Sequence, residues 1–438
     1  MRNLRLLQDK PDLSSPFFQF KKFAQQLQPF ILDPNTPTPY TIGLHGEWGS
    51  GKTSLIYRVY EHVKNNLPHN NWKVIWFDAW EYERLDPTLA LMQRIADQYH
   101  TNTDTFKRVI KGMLRLSTDM ALRAATGLEL KEVEKEFEDT VRNISTINDE
   151  LSKMVGDGRL VVFIDDLDRC IIENALNILE AIKLFLTVNG TIFVVAVDMH
   201  KLERAWMLRY KGSSTGMQEG REHVDKIFQL KLSLPPKDPD EFGQFLKGIA
   251  ESLPDRTPEL IIKGCTPNPR KIKRVLNLIY FLARSIEETK LQEYFPVVII
   301  WSIATTIYPE LAQKISSNSN SIVQMALISY HLGELEVLNL RIEEIKKALT
   351  DKQDVDISRD GKSPLRINYQ HLSTSTVEGL EYVSKNRYSF NFLKAIADYY
   401  SIIVTNEAPQ NLLPTLDKHY AGLGKTLKEV IYKGGLIA

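Results

Sequence analysis

The amino-acid sequence predicts an α/β protein, in which a parallel sheet with a helical insertion is followed by an all-α C-terminal region. Short runs of β-branched and aromatic residues alternate with helical patterns up to about residue 236, and helical patterns alone follow. That order is typical of an α/β domain joined to a helical one. The 438 residues, 43% of them apolar, are enough to fill the cores of more than one domain.

Five runs in the first part have the composition of strands. Four of them are short and apolar, as buried parallel strands are: 40–45, 73–77, 160–164 and 191–197. In the fifth, 228–234, apolar and polar residues alternate, which predicts a half-exposed edge strand. Pro235 and Pro236 end that strand, and Asp238 followed by Pro239 has the pattern of a helix start. We therefore place a domain boundary after residue 236.

The rest of the chain is predicted to be helical and to divide further. We expect an N-terminal helical arm at 1–36, a core domain at 37–236, a helical lid at 237–290 and a C-terminal helical domain at 291–438. A helical insertion at about 86–156 interrupts the core, with one apolar stripe between residues 133 and 154. The apolar run 295–308 is shorter than a membrane span and contains hydroxyl side chains, so we predict a buried helix and no membrane span.

The composition indicates which classes of binding partner and which cellular compartment to expect. Lysine plus arginine and aspartate plus glutamate number 55 each, so the net charge favours neither nucleic acid nor a membrane surface. Cys170 and Cys265 are far apart and have no histidine cluster, which argues against a disulfide scaffold or structural zinc. The first residues lack the apolar core of a signal peptide. We expect a cytoplasmic protein.

A complete phosphate-loop pattern stands between the first predicted strand and a predicted helix. It consists of Gly46, Glu47, Trp48, Gly49, Ser50, Gly51, Lys52 and Thr53, with Ser54 next in the chain. Its glycines let backbone N–H groups turn towards a phosphate, and the helix start adds positive partial charge. We expect Lys52 to contact the β and γ phosphates of a nucleotide and the Thr53 hydroxyl to ligate magnesium. The alternative is a chance glycine-rich turn, which the agreement of motif and context disfavours.

A similar string at 422–426 shows why context is needed. It has His419 in place of the first glycine, and no strand-like run precedes it. We therefore predict an ordinary helix start there.

An acidic pair ends the third predicted strand. Asp165 and Asp166 follow a run of four apolar residues, so they lie at the carboxyl edge where open α/β sheets bind ligands. We expect Asp165 to hold magnesium and Asp166 to orient or deprotonate the attacking water. The alternative, that the two acids only cap a turn, is weaker after a complete phosphate loop. No guanine-binding Asn-Lys-x-Asp motif is present, so we predict an ATPase that uses ATP and Mg²⁺.

These motifs together resemble the KAP family of P-loop NTPases over about residues 17–282. The resemblance is carried by the loop with Trp48 and by the strings 77–82 (FDAWEY), 165–170 (DDLDRC) and 268–270 (NPR). It implies an ATPase core, related to AAA+ and signalling NTPases, with an additional strand between the phosphate-loop strand and the acidic strand. Many bacterial members are associated with mobile elements and phage exclusion. Many relatives carry transmembrane helices where this chain has its polar insertion, so membrane anchoring is not carried over.

Two further residues of the core each have two interpretations. Asp198 follows the strand 191–197 and either contacts the γ-phosphate or the water, or caps the helix that begins near His200. Arg169 either stabilises transition-state charge, in its own chain or in a neighbouring subunit, or pairs with Asp168 or Glu173. For the segment Trp80-Glu81-Tyr82 we predict only packing and support of the site.

Arg270 opens a basic helix turn with Lys271, Lys273 and Arg274. The resemblance favours a lid arginine that contacts bound phosphate, and a nucleic-acid surface or a solvated helix face are the alternatives. Two functions follow. The first is an ATP-driven switch or machine, as in phage defence, whose helical C-terminal region acts on a homo-oligomer or an effector protein. The second is a nucleic-acid-stimulated remodelling ATPase, and a small-substrate kinase is a third possibility.

Overall fold

The computed structural model divides into two compact units, Pro11–Pro236 and a second unit of Met1–Lys10 with Lys237–Ala438. It describes residues 6–8, 20–85, 87–99, 149, 151–185, 187–209, 216–235, 239–249, 253, 257–284, 286, 288–318, 321–357, 365–367 and 372–404. The predicted apolar stripe of the insertion runs between residues 133 and 154, and its part up to residue 147 lies outside the described residues. The string 422–426 lies outside them as well.

The first unit is built on a five-stranded parallel sheet in the order β2-β3-β4-β1-β5. Its strands are β1 Tyr40–His45, β2 Trp72–Asp78, β3 Arg159–Asp165, β4 Thr191–Val197 and β5 Leu230–Ser233. All five predicted strands and the α/β fold class are confirmed. β4 lies between β1 and β3, which is the additional strand that the family resemblance implies.

The burial of each strand follows from its sequence. Every residue of β3 and β4 is buried, because both strands are almost wholly apolar and lie inside the sheet. β5 alternates between half-buried and exposed positions, as its alternating sequence predicts for an edge strand. Parallel pairing brings the last residues of β1 and β4, His45 and Val197, side by side. The carboxyl ends of the strands therefore meet at one edge.

Helices and two short 3-10 turns connect the strands of this unit. The helices are α1 Phe20–Leu32, α2 Lys52–Asn65, α3 Pro87–Gln98, α4 Ile172–Phe185, α5 Met199–Arg209 and α6 Gly216–Ile227, and the 3-10 turns are Trp80–Tyr82 and Leu167–Arg169. The guanidinium of Arg159 donates to the backbone carbonyls of Ile31, Asp33, Pro34 and Thr36 and lies over the ring of Trp72. This buried charge is therefore hydrogen-bonded, and it fixes the chain between α1 and β1 to the sheet.

The described residues of the second unit are helical apart from one hairpin. Its helices are α7 Pro239–Ile249, α8 Thr257–Gly264, α9 Pro269–Arg284, α10 Glu288–Ile307, α11 Pro309–Ser317, α12 Ser321–Leu332, α13 Leu335–Asp351, α14 Thr374–Ser384 and α15 Arg387–Val404. The predicted buried helix at 295–308 is α10, and its central residues are buried. In the part of the chain that the structure describes, no helix is long and apolar enough to cross a membrane.

The hairpin corrects the prediction of a purely helical C-terminal region. Strand β6, Val355–Ile357, pairs antiparallel with β7, Leu365–Ile367. Both strands have a charged residue between two aliphatic ones, and Asp356 pairs in register with Arg366. Three residues are too few for this alternation to stand out in a sequence.

Candidate functional site

The loop after β1 needs glycine at three of its positions. Gly49 and Gly51 have φ angles of 77° and 105°, which lie in the left-handed region that other residues seldom adopt. A side chain on Gly46 would come within 2.5 Å of Cδ1 of Leu234, and one on Gly51 within 2.7 Å of Cζ of Phe20. The backbone of the loop is thus closely surrounded, which fixes its shape.

Lys52 begins α2 and its side chain is buried beneath the loop. Its Nζ donates to the carbonyl of Gly46 at 2.7 Å and to that of Glu47 at 3.3 Å. No side chain caps α2, whose N-cap residue is Gly51. The positive end of the helix and the lysine ammonium therefore meet at one place, which is the arrangement that binds phosphate.

Asp165 lies across from this helix at the end of β3. Its carboxylate is 2% exposed and hydrogen-bonds with the Thr53 hydroxyl, while its Oδ1 accepts no hydrogen bond within the described residues. Burial, and then the neighbouring charge of Asp166, raise the pKa of Asp165 to about 7. A buried carboxylate oxygen without a donor, next to a threonine hydroxyl, fits a divalent cation. The metal assignment of Thr53 and Asp165 is chemically consistent with this geometry.

The Thr53 hydroxyl and the Asp165 carboxylate are two oxygen groups that could hold a magnesium ion. The described part of the chain holds no cluster of three His, Cys, Asp or Glu side chains that could bind a metal by themselves. Magnesium keeps several waters and often binds through one or two protein groups together with phosphate oxygens. The site therefore fits a metal that arrives with a nucleotide.

Asp166 adopts a left-handed conformation, with φ of 54°, directly after β3. Its Oδ1 is 3.0 Å from Nε of Arg169, so the partner of Arg169 is Asp166 and not the predicted Asp168 or Glu173. The left-handed turn is the physical reason, because it brings the 3-10 turn Leu167–Arg169 back over the strand end. The guanidinium of Arg169 also lies 5.2 Å from the ring centre of Trp80.

The segment after β2 therefore supports the acidic edge. Asp78 is paired with Asp165 in the sheet, and its Oδ1 accepts the N–H groups of Trp80 and Glu81 at 3.0 and 3.3 Å. The ring of Tyr82 stacks on Phe77 with 5.2 Å between centroids. Trp80 thus supports the site as predicted, and the structure identifies Arg169 as the residue that it contacts.

Asp168 belongs to the site and was missed by the sequence analysis. It is buried, and its Oδ2 is 3.7 Å from Nζ of Lys52. The available signal was its spacing of three residues from Asp165. That spacing points back to the strand end only if the intervening residues form a tight turn, which the sequence does not reveal.

Asp198 follows β4 and makes the capping contact that was one of its two interpretations. Its Oδ1 accepts the N–H of His200 at 3.2 Å. It also lies beside the loop, because His45 and Val197 are paired in the sheet and His45 directly precedes Gly46. The Nδ1 of His45 accepts the N–H of Met199 at 3.0 Å, and burial lowers the pKa of His45. Asp198 thus caps α5 and lies beside the loop. Its contact with a nucleotide is still a prediction.

The remaining predicted residues fall into two groups. Glu47, Trp48 and Ser50 form the loop itself, where the Glu47 carbonyl accepts the N–H of Ser50 at 3.1 Å, and Ser54 lies in the first turn of α2. Arg270 belongs to the helical unit, where the Asn268 side chain accepts its N–H at 3.1 Å at the start of α9. The structure thus gathers every predicted site residue except Arg270 within one unit.

Residues 20–286 match the model of the KAP family P-loop domain. An uncharacterized protein of Methanocaldococcus jannaschii is 26% identical to this chain, over 29% of this chain and 90% of that protein. Among solved structures, Cdc6p of Pyrobaculum aerophilum is 13% identical over 98% of this chain and 96% of its own, with a TM-score of 0.41. The ORC2 protein of Aeropyrum pernix is 14% identical over 87% and 96%, with a TM-score of 0.39.

Proposed function

This chain belongs to the KAP family of P-loop NTPases, and from that premise we propose that it binds ATP with Mg²⁺ in the loop 46–53 and hydrolyses it. The observation that carries the proposal is the convergence of three groups at one sheet edge. These are the buried Lys52 ammonium, the Thr53–Asp165 hydrogen bond and the carboxylate of Asp166. The first binds phosphate, the second suits a magnesium ion, and the third suits a water molecule.

Each residue has a separate task in this proposal. Lys52 leaves the Gly46 carbonyl to contact the β and γ phosphates, and the first N–H groups of α2 donate to phosphate oxygens. Thr53 and Asp165 would hold the magnesium ion, which would supply positive charge beside the phosphates. Asp166 accepts the proton of the attacking water or orients that water. Arg169 keeps the Asp166 carboxylate in place from the side of Trp80.

We further propose that nucleotide binding and hydrolysis drive a switch. Support comes from the division of the chain into a unit that holds the candidate site and a second, helical unit. The partner is a second copy of the chain or an effector protein, the location is the cytoplasm, and the setting suggested by the family resemblance is defence against phage. Native mass with and without ATP tests this proposal, since a switch of this kind changes its assembly with the nucleotide.

A nucleic-acid-stimulated ATPase is the second candidate. It is supported by the basic turn that opens α9, which holds Arg270, Lys271, Lys273 and Arg274. DNA or RNA that accelerates ATP hydrolysis would favour this function over the first. A phosphorylated small molecule in place of free phosphate would instead identify a kinase.

Binding of Mg²⁺·ATP is expected to release a proton from Asp165. Its carboxyl group has a pKa of about 7, so it is mostly protonated at pH 6 and mostly ionised at pH 8. Since Mg²⁺ binds the ionised form, preformed Mg²⁺·ATP should displace a larger number of protons at pH 6 than at pH 8. Calorimetry in two buffers of different ionisation enthalpy measures this number. Equal proton release by wild type and Asp165→Asn at pH 6 would remove Asp165 from the metal site.

Arg169→Ala is expected to lower kcat roughly 10²-fold with little change in ATP affinity, because it removes a cation beside the reacting groups. Arg169 contacts Asp166 of its own chain, so we expect it to act in cis. Mixing inactive Arg169→Ala with inactive Lys52→Ala protein should then restore no activity at any ratio. Arg204→Ala, on the exposed side of α5, is the control. Activity that returns on mixing would show that the arginine acts on a neighbouring subunit.

A further inference from the structure

Asp168 is a buried carboxylate that two lysines share. Its side chain lies on the 3-10 turn Leu167–Arg169 and is 2% exposed. Its Oδ2 is 3.7 Å from Nζ of Lys52 and 3.8 Å from Nζ of Lys201. This oxygen accepts no hydrogen bond in the described part of the chain. A buried carboxylate is strongly unfavourable without a cation beside it. Asp168 therefore depends on these two ammonium groups.

The two lysines differ in their surroundings. Lys52 is buried, and its Nζ is hydrogen-bonded to carbonyls of the phosphate loop. Lys201 lies in the first turn of α5 with a side chain that is 51% exposed, and its Nζ also lies 3.4 Å from the backbone carbonyl of Asp168, to which it donates. Lys201 thus contacts both the carbonyl and the carboxylate of Asp168.

The start of α5 contacts the phosphate loop by a second route. The N–H of Met199, the first residue of α5, donates to Nδ1 of His45 at 3.0 Å. His45 directly precedes the first loop residue, Gly46. The first turn of α5 is therefore joined to one side of the loop through His45 and to Lys52 through Asp168.

We propose that Asp168 is a positioning residue. Its carboxylate pairs with Lys52 before nucleotide binds and with Lys201 once Lys52 has turned to the phosphates. This inference rests on the proposed nucleotide site. Phosphate oxygens and the Asp168 carboxylate are both anions, and they compete for one ammonium group. When Lys52 leaves, Lys201 neutralises the carboxylate and the first turn of α5 follows. α5 thereby responds to whether the loop is occupied.

The test is a double-mutant cycle on ATP affinity, measured by calorimetry with Asp168→Asn, Lys201→Gln and the double variant. Asp168→Asn should tighten ATP binding roughly tenfold, because the competing anion is gone. Lys201→Gln should weaken binding roughly fivefold in the wild-type background and less than about twofold in the Asp168→Asn background. Lys201→Arg should restore wild-type affinity. Lys226→Gln is the matched control, because Lys226 is an exposed lysine in the last turn of α6.

Each outcome decides the inference. A binding cycle reports only the part of the Asp168–Lys201 coupling that differs between the free and bound states, so a merely structural ion pair gives additive effects. Additive effects, or unchanged ATP affinity in Lys201→Gln, would overturn the transfer of Asp168 to Lys201. If Asp168→Asn does not fold, the half-exposed Lys201 still carries the test through its Gln and Arg variants. Wild-type protein that does not bind ATP would instead refute the proposed function itself.

Discussion

Lys52→Ala is expected to abolish tight ATP binding, with a loss of roughly 100-fold or more in affinity. Lys52 lies at the start of α2 beneath the phosphate loop, and its two hydrogen bonds to loop carbonyls hold its ammonium group beside that loop, from where it can turn to the phosphates. Charge-assisted hydrogen bonds contribute about 1.5–3 kcal/mol, and 3 kcal/mol corresponds to roughly 150-fold. Calorimetric titration with ATP in the presence of Mg²⁺ measures the loss.

Lys64→Ala provides the matched control for this prediction. Lys64 lies on the same helix, near the opposite end from the loop, and it is exposed. The Lys64→Ala protein should bind ATP as the wild type does. Because Lys52 also neutralises Asp168, the thermal unfolding of Lys52→Ala must be checked before its affinity is interpreted. A folded Lys52→Ala protein with unchanged ATP affinity would show that the nucleotide does not bind in this loop.

Asp166→Asn is expected to retain ATP binding and to lose about 10²- to 10⁴-fold in kcat. An amide cannot accept the proton of the attacking water, and general base catalysis typically contributes a factor of that size. Asparagine is the appropriate substitution because Asp166 has a positive φ, and asparagine tolerates that conformation better than alanine does. Single-turnover release of phosphate, measured beside ATP affinity, separates the two effects.

Asp157→Asn is the control for the acidic pair. Asp157 is exposed and precedes β3, whereas Asp166 follows it, so the two positions lie at opposite ends of one strand. The control should hydrolyse ATP at the wild-type rate. An Asp166→Asn protein that also turned over at the wild-type rate would transfer the base assignment to another group, with Asp168 the nearest candidate on the same turn.

The elements that the sequence predicted well are those whose signal is local. β3 and β4 are continuous apolar runs, β5 alternates, and the loop 46–53 is a contiguous pattern with fixed spacing. The position of β4 between β1 and β3 did not follow from any strand's own residues and came from the family resemblance. Strand order depends on how connections cross the sheet, which local patterns do not encode.

The features that the sequence analysis missed depend on a backbone turn and on contacts between residues that are far apart in the chain. The left-handed Asp166 turns the chain so that Arg169 returns to Asp166 and Asp168 reaches Lys52. The residues after β3 carry no local pattern that predicts this turn. The contact of Trp80 with Arg169 joins two loops that are far apart in the chain, so it appears only once β2 and β3 are paired.

Release of inorganic phosphate from ATP by the purified chain, with Mg²⁺ present, tests the central claim most directly. We predict that wild-type protein releases phosphate steadily and that the Lys52→Ala protein, prepared in the same way, releases it at least about 100-fold more slowly. Omission of Mg²⁺ should also stop the wild-type reaction, because in the proposed site Thr53 and Asp165 hold the metal. Equal phosphate release by wild type and Lys52→Ala, or none from a wild-type protein that binds Mg²⁺·ATP, would contradict the proposal that this loop and its acidic edge form an ATPase site.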